Sequence, residues 1–335
     1  MRMQSQGHSW RGRPCFCVAL LVALLSAVPV RGQAAQAKAA QAKPSAAETE
    51  PPPAQHTFLT TKDGWKIHCA YYAPQSGVRK GKEVVPIIAV HGWGGQGGEY
   101  HALATLAQRY GHAVAVPDLR GHGRSTTWKS PDGDLQRVTK EQLGPADREG
   151  MVLDLEAVKH FLIERNNAGD VNVESLCLIA ASEGTIVALN WTAADWSWPA
   201  TTAGKQGQDV KALVLLTPDL SFHRLTAQAA VSHPAISRWL SVMVAVGQRD
   251  KKAAGEAKRL YTRLERMRPP VPDDPRERLR KQDLFWIPAD TEVQGTQLLD
   301  GQLPVYRAIL RFVHLRLVQK RDNMPWAARR SPLDG

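Results

Sequence analysis

Ser182 stands in Ala180-Ala181-Ser182-Glu183-Gly184, with small residues two before it and two after. A solid apolar run, Leu176–Ala180, leads in, and Thr185 to about Ala194 reads as a helix. A serine between a buried strand and a helix is the pattern of a nucleophile elbow, a tight and strained turn. Larger flanking side chains would collide with neighbouring strands, and the strain lifts the hydroxyl above the sheet edge. Ala180 stands where glycine is more usual. The chemistry this arrangement suits is attack on an acyl carbon.

A second cluster could do different chemistry. Val84–Val90 runs into His91-Gly92-Trp93-Gly94-Gly95-Gln96-Gly97, and Asp118 follows 21 residues after Gly97. Glycines at that spacing, then an acid at the end of the next strand, resemble the fingerprint that cradles a dinucleotide. Three features weigh against it. His91 precedes the glycines where apolar packing is expected, the loop does not follow the first strand, and Asp118 opens a separate motif, Asp118-Leu119-Arg120-Gly121-His122-Gly123-Arg124-Ser125. A nicotinamide-dependent oxidoreductase is therefore a minor reading and no cofactor is expected. No H-E-x-x-H and no paired C-x-x-C occurs, so no metal is expected either.

The elements that must position these residues alternate between two patterns. Val84–Val90, Ala113–Val116, Leu176–Ala180, Ala212–Leu216, Val242–Val246 and Leu284–Ile287 are short apolar runs, as in strands buried on both faces. Longer amphipathic stretches lie between or after them. Met151, Leu155, Val158 and Leu162 follow helical spacing, as do Val305, Ala308, Ile309 and Phe312. Segments 57–61 and 66–72, joined through Lys62-Asp63-Gly64, read as a leading antiparallel hairpin. The expected fold class is α/β: a mostly parallel sheet with helices on both faces.

The 335 residues are 43% hydrophobic and 22% charged, which excludes collagen-like and fully disordered chains, and four cysteines exclude a disulfide-stapled scaffold. Arg2, Arg11 and Arg13 precede the apolar run Cys15–Val30, the layout of a signal peptide over 1–32. An uncleaved anchor is the alternative, but a spanning helix wants about 20 apolar residues. Cleavage would remove four arginines and no acid, lowering the net charge from +11 to +7. Cys69 and Cys177 would remain, read as buried free thiols. Residues 33–55 repeat Ala-Gln-Ala-Lys and end near Pro51-Pro52-Pro53, with too little apolar surface to fold, so a disordered linker is expected. The body is then 56–321 and the C-terminal tail 322–335. The expected location is outside the cytoplasm, periplasmic or secreted, with no stable membrane span after cleavage. Residues 249–281 hold twelve Lys or Arg against six acids. This reads as a solvated helix face, and nucleic acid is not an expected partner.

The body resembles the α/β-hydrolase family over about residues 57–320. His91-Gly92-Trp93-Gly94-Gly95 is similar to its oxyanion loop, Asp118 to Ser125 to its D-x-R-G-x-G-x-S stretch, and Ala180 to Gly184 to its elbow, all in family order. The resemblance implies Ser182 as nucleophile and the backbone N–H groups of Trp93 and Glu183 as the oxyanion hole. His91, Gly92 and Gly184 would support these motifs. Asp250 falls at the family's acid position after the seventh strand, with Asp219 as the alternative acid. Only Thr217 to Leu240 separates the sixth and seventh strands, so no large cap domain is expected.

The histidine fails. The family's His-Gly after the last strand reads Gln294-Gly295 here, and His314 is the only histidine beyond His233. Glutamine takes no proton near neutral pH, so the serine lacks a general base. Losing that base costs on the order of a millionfold in turnover in serine hydrolases. His223, after the sixth strand, is an alternative acid/base. His122 and His91 lie in structural motifs, and Asp290 or Glu292 would have to act through a water. Two expectations follow. One is an exported esterase-like enzyme of weak activity on a small ester or acyl molecule. The other is a pseudohydrolase that binds a ligand or partner without turnover.

Overall fold

The computed structural model describes residues 50–199 and 205–329. The expected signal peptide and residues 33–49 of the expected linker lie outside them. The chain enters on an antiparallel hairpin, β1 (Gln55–Thr60) and β2 (Trp65–Tyr72). β3 (Pro86–Val90), α1 (His101–Arg109) and β4 (Ala113–Pro117) follow. A small excursion, β5 (Thr127–Lys129) and β6 (Leu135–Arg137), precedes α2 (Pro145–Glu149) and α3 (Met151–Asn167). The second half runs β7 (Leu176–Ala181), α4 (Gly184–Ser197), β8 (Val210–Leu216), a short hairpin β9 (Ser221–Phe222) and β10 (Leu225–Thr226), and α5 (Gln228–Ser232). It ends with β11 (Ser241–Gly247), α6 (Lys251–Arg266), α7 (Pro275–Lys281), β12 (Leu284–Ala289) and α8 (Val305–Val313).

One ten-stranded sheet holds all of these strands except β9 and β10, in the order β12-β11-β8-β7-β3-β4-β2-β5-β6, with β1 on β2. The run from β12 to β4 is parallel. Its strands are apolar throughout because they alternate between two cores. Leu176, Leu178 and Ala180 of β7 meet the core under α3, α4 and α6, while Cys177, Ile179 and Ala181 meet the core under α1 and α8. This is the period of two expected of a strand covered on both faces.

Register decides where the functional residues arrive. Val90 pairs with Ala180, Ala181 with Leu216, Leu216 with Ala245, and Gly247 with Ala289. The loops after β3, β7, β8, β11 and β12 therefore open on one edge, the carboxyl ends of parallel strands, where α/β sheets bind ligands. Between β8 and β11 the chain makes only the β9–β10 hairpin, α5 and one further helical turn, so no large cap sits there. Cys69 and Cys177 are buried and unbridged. Burial pushes the Cys69 thiol up to about 12, which leaves it inert.

The segment Met324–Arg329 is tied along the opposite edge. Asn172 Nδ2 donates to Met324 O at 2.9 Å, Asn166 Nδ2 to Ala327 O at 2.9 Å, and Asn167 Nδ2 to Arg329 O at 2.6 Å. The Arg329 guanidinium is buried and pairs with Glu174 and Asp209, which also receive Lys205; Lys159 reaches Asp209 and Asp195.

Candidate active site

Ser182 occupies the turn between β7 and α4 with φ +48°, a left-handed conformation rare for a side chain other than glycine. The turn is held by Ser182 N–H donating to Leu216 O at 2.9 Å and Thr185 N–H donating to Ser182 O at 3.0 Å. Gly184 is required: a Cβ there would fall on the His91 carbonyl oxygen. The backbone thus carries the strain of an elbow. Ser182 Oγ makes no hydrogen bond among the described residues. Its close neighbour is Gly295 (φ +58°), where a built Cβ would lie 2.6 Å from that oxygen.

The loop after β3 comes up against the same turn. His91 is fully buried. Its Nδ1 donates to Gly92 O at 2.8 Å, and its Nε2 accepts from Leu119 N–H at 3.0 Å. Burial holds its pKa down to about 4, so it stays neutral and serves the loop's shape. Trp93 N–H faces the elbow but is occupied: it donates to Glu183 Oε2 at 2.9 Å. The same oxygen lies 2.9 Å from where a Gly92 Cβ would be. A carboxylate therefore holds one of the two backbone donors that a developing oxyanion would need.

Gln294 spends its hydrogen bonds on groups other than Ser182. Its Nε2 donates to Gly247 O at 2.9 Å and Glu292 O at 3.2 Å. Its Oε1 accepts from Gly247 N–H at 3.1 Å and Thr217 Oγ1–H at 2.7 Å. Two donors and two lone pairs are the full capacity of a carboxamide, and all four are used. Gly247 ends β11, so the side chain continues that strand's pairing as a further peptide would. Thr217, itself at φ +49°, also accepts from Gly295 N–H at 2.9 Å.

The remaining feature of the glycine loop is Asp118. Its carboxylate accepts from Gly97 N–H at 2.7 Å, Arg124 N–H at 2.9 Å and His68 Nδ1 at 2.9 Å, in a site 4% exposed. An acid so enclosed is not presented to a ribose, and it locks the glycine loop to the Asp118–Ser125 turn. Arg120 anchors the same turn through Asp154 and Asp63.

A model of the alpha/beta hydrolase family matches residues 87–333, about three quarters of the chain. The chain belongs to the α/β-hydrolase family. Solved structures repeat the fold. An esterase from Pyrococcus furiosus superposes with a TM-score of 0.53 at 14% identity, covering 80% of this chain and 97% of its own. An alpha/beta hydrolase from Penicillium sp. sh18 gives 0.51 at 13%, covering 79% and 99%. An esterase from Pyrobaculum calidifontis gives 0.50 at 16%, covering 81% and 87%. A search of curated proteins finds no match.

Within this α/β-hydrolase the other expected site residues scatter. Asp250 caps α6, its carboxylate accepting from Lys252 N–H at 3.0 Å and Ala253 N–H at 3.1 Å, and among the described residues it has no hydrogen bond to Gln294. This is the geometry of a helix N-cap. Asp219 lies beside the elbow: Thr185 Oγ1 donates to its carbonyl at 2.8 Å. Partial burial, then the charges of Glu183 and Glu256, push its carboxyl up to about 6. His223 is exposed at the tip of the β9–β10 hairpin, its ring 6.2 Å from that of Trp93 and 4.2 Å from that of Phe222. His122 Nδ1 donates to Arg120 O at 2.9 Å, and its ring meets the Trp93 edge at 5.0 Å. Asp290 is taken up by Arg249 at the surface.

Sequence reasoning missed Thr217, Gly247 and Glu99. Glu99 accepts from Gln96 N–H at 3.0 Å and from Thr296 Oγ1 at 2.6 Å, linking the loop after β3 to the loop of Gln294. Thr217 carried one signal, its place directly after an apolar strand, at the carboxyl edge of the sheet. Among the described residues no three His, Cys, Asp or Glu cluster as metal ligands, and no helix is long and apolar enough to cross a membrane.

Proposed function

We propose that this α/β-hydrolase is a pseudohydrolase: a domain that retains the elbow and binds a small acyl-type ligand without turning it over. The observation that carries this reading is Gln294, whose four hydrogen bonds are all spent on Gly247, Glu292 and Thr217. Nothing there can take the Ser182 proton. The Glu183 carboxylate on Trp93 N–H supports the same reading, since it adds negative charge where catalysis would have to stabilise it.

We further propose that residues 1–32 direct export, so the domain works in the periplasm or outside the cell. N-terminal sequencing of the exported protein should begin near Gln33; a retained Met1 would overturn the cleavage.

The activity test uses p-nitrophenyl butyrate and a fluorophosphonate probe on wild type and Ser182→Ala. The expected result is equal, background hydrolysis and no labelling. Hydrolysis lost in Ser182→Ala would overturn the reading and make His223, exposed on the β9–β10 hairpin with its ring 6.2 Å from that of Trp93, the base to test by His223→Ala.

A further inference from the structure

A cleft of about 300 Å³, whose lining does not include Ser182, lies between the end of α2, the start of α3, the first turns of α4 and the β9–β10 hairpin. Its apolar lining is Val152, Ile186, Val187 and Leu225. Its polar wall holds two arginines. Arg224, at φ +72° in the hairpin turn, is exposed, and its guanidinium has no ion pair or hydrogen bond among the described residues. Arg148 is held by one hydrogen bond, Nη1–H donating to Leu143 O at 2.6 Å, and its buried Nε has no acceptor. A buried donor without an acceptor costs free energy that a ligand oxygen would recover. Glu149 is the one acid in the wall, and it pairs with neither arginine. Asn190 is already engaged, its Nδ2 donating to Thr226 O at 3.0 Å.

Two guanidinium groups with no carboxylate partner among the described residues, beside an apolar lining, define a chemistry: one anionic planar head, one apolar body. We propose that this cleft binds a small aliphatic monocarboxylate, its chain along Val152, Ile186, Val187 and Leu225 and its carboxylate between Arg148 and Arg224. A chain of roughly six to ten carbons suits a cleft of this size. In this proposal the carboxylate takes up the unsatisfied donor of Arg148 and the exposed guanidinium of Arg224. The inference deepens the reading of the domain as a binding module by naming its ligand class. It uses none of Ser182, Glu183 or Gln294, on which that reading rests.

The experiment titrates the full chain with octanoate, octanol and octylamine by isothermal calorimetry. Octanoate should bind saturably at one site, and the alcohol and amine at least tenfold more weakly. Arg224→Asn, which tolerates the left-handed turn, and Arg148→Gln should each weaken octanoate at least tenfold with unchanged melting curves. Val187→Trp should fill the cleft and remove binding. Equal affinity for octanol, an octanoate affinity unmoved by Arg224→Asn, or no saturable octanoate binding would each overturn the proposal. Fluorophosphonate labelling of Ser182 in the same samples reads the loss of catalysis separately. Labelling with intact octanoate binding sinks the pseudohydrolase reading alone, and no labelling with no binding sinks the carboxylate site alone.

Discussion

The carboxamide of Gln294 lies edge to edge on the peptide of Gly247, giving a hydrogen bond to its carbonyl and taking one from its N–H. A histidine cannot reproduce that pairing, because its ring presents one nitrogen per edge. Gln294 thereby stitches the loop after β12 to the end of β11. The glutamine is integrated into the fold.

Gln294→Ala and Gln294→His should therefore both destabilise, by about 1–3 kcal/mol, as Gly247 N–H and Thr217 Oγ1 lose their acceptor. Gln294→Glu has the same shape but turns a carboxylate oxygen toward the Gly247 and Glu292 carbonyls. It should destabilise more at pH 7 than at pH 4, where protonation restores one donor. Urea midpoints at the two pH values measure this. A neutral Gln294→Glu would show the stitch to be dispensable.

Glu183 should act as a plug. Removing one oxyanion donor in a working hydrolase costs roughly 100- to 1,000-fold in turnover. Gln294→His alone should then remain near background on p-nitrophenyl butyrate. The double variant Glu183→Ala/Gln294→His should exceed it by about 100-fold. Equal rates in the single and the double variant would mean that Trp93 N–H is not the limiting donor.

Asp219 gives a pH signature with a defined sign. Its folded pKa, about 6, is raised above the ordinary aspartate value, so the folded state holds that proton more tightly. Its contribution favours folding at low pH and is lost as pH rises from about 4 through 6. His91 works in the opposite direction, since its folded pKa of about 4 penalises protonation as pH falls from 6.5. The readout is therefore the difference between wild type and Asp219→Asn. The variant should gain relative stability as pH rises from 4 to 7 in urea unfolding. A constant difference across that range would mean Asp219 titrates normally.

The C-terminal segment should be structural. Arg329→Ala leaves the fully buried Asp209 and the nearly buried Glu174 with one cation fewer. Breaking a buried charge network costs about 3–5 kcal/mol when a partner is removed. Lys159 and Lys205 remain to share Asp209, so roughly 3 kcal/mol is expected from the urea midpoint. Ending the chain at Asn323 should cost at least as much, because the Asn166, Asn167 and Asn172 side chains lose their carbonyl partners too.

Much of this architecture is legible in local pattern. The solid apolar runs become β3, β4, β7, β8, β11 and β12 because a strand covered on both faces needs an apolar residue at every position. The small residues around Ser182 mark the elbow because only they fit where Gly184 meets the His91 carbonyl. Counting from the last strand leads to Gln294-Gly295, the pair on which the proposed loss of the histidine rests.

What the sequence by itself determined, then, is the order of elements, the edge on which the loops open, and the identity of the side chains delivered there. Those depend on period, turn chemistry and spacing, all local in the chain. What only the tertiary structure decided is which way those side chains face. Gln294 turns to Thr217 and Gly247, 77 and 47 residues away; Glu183 folds onto Trp93, 90 residues away; Asp250 turns to its own helix. Hydrogen-bond capacity is a property of a residue type, but its partners are set by packing between strands far apart in sequence, and no local period encodes them.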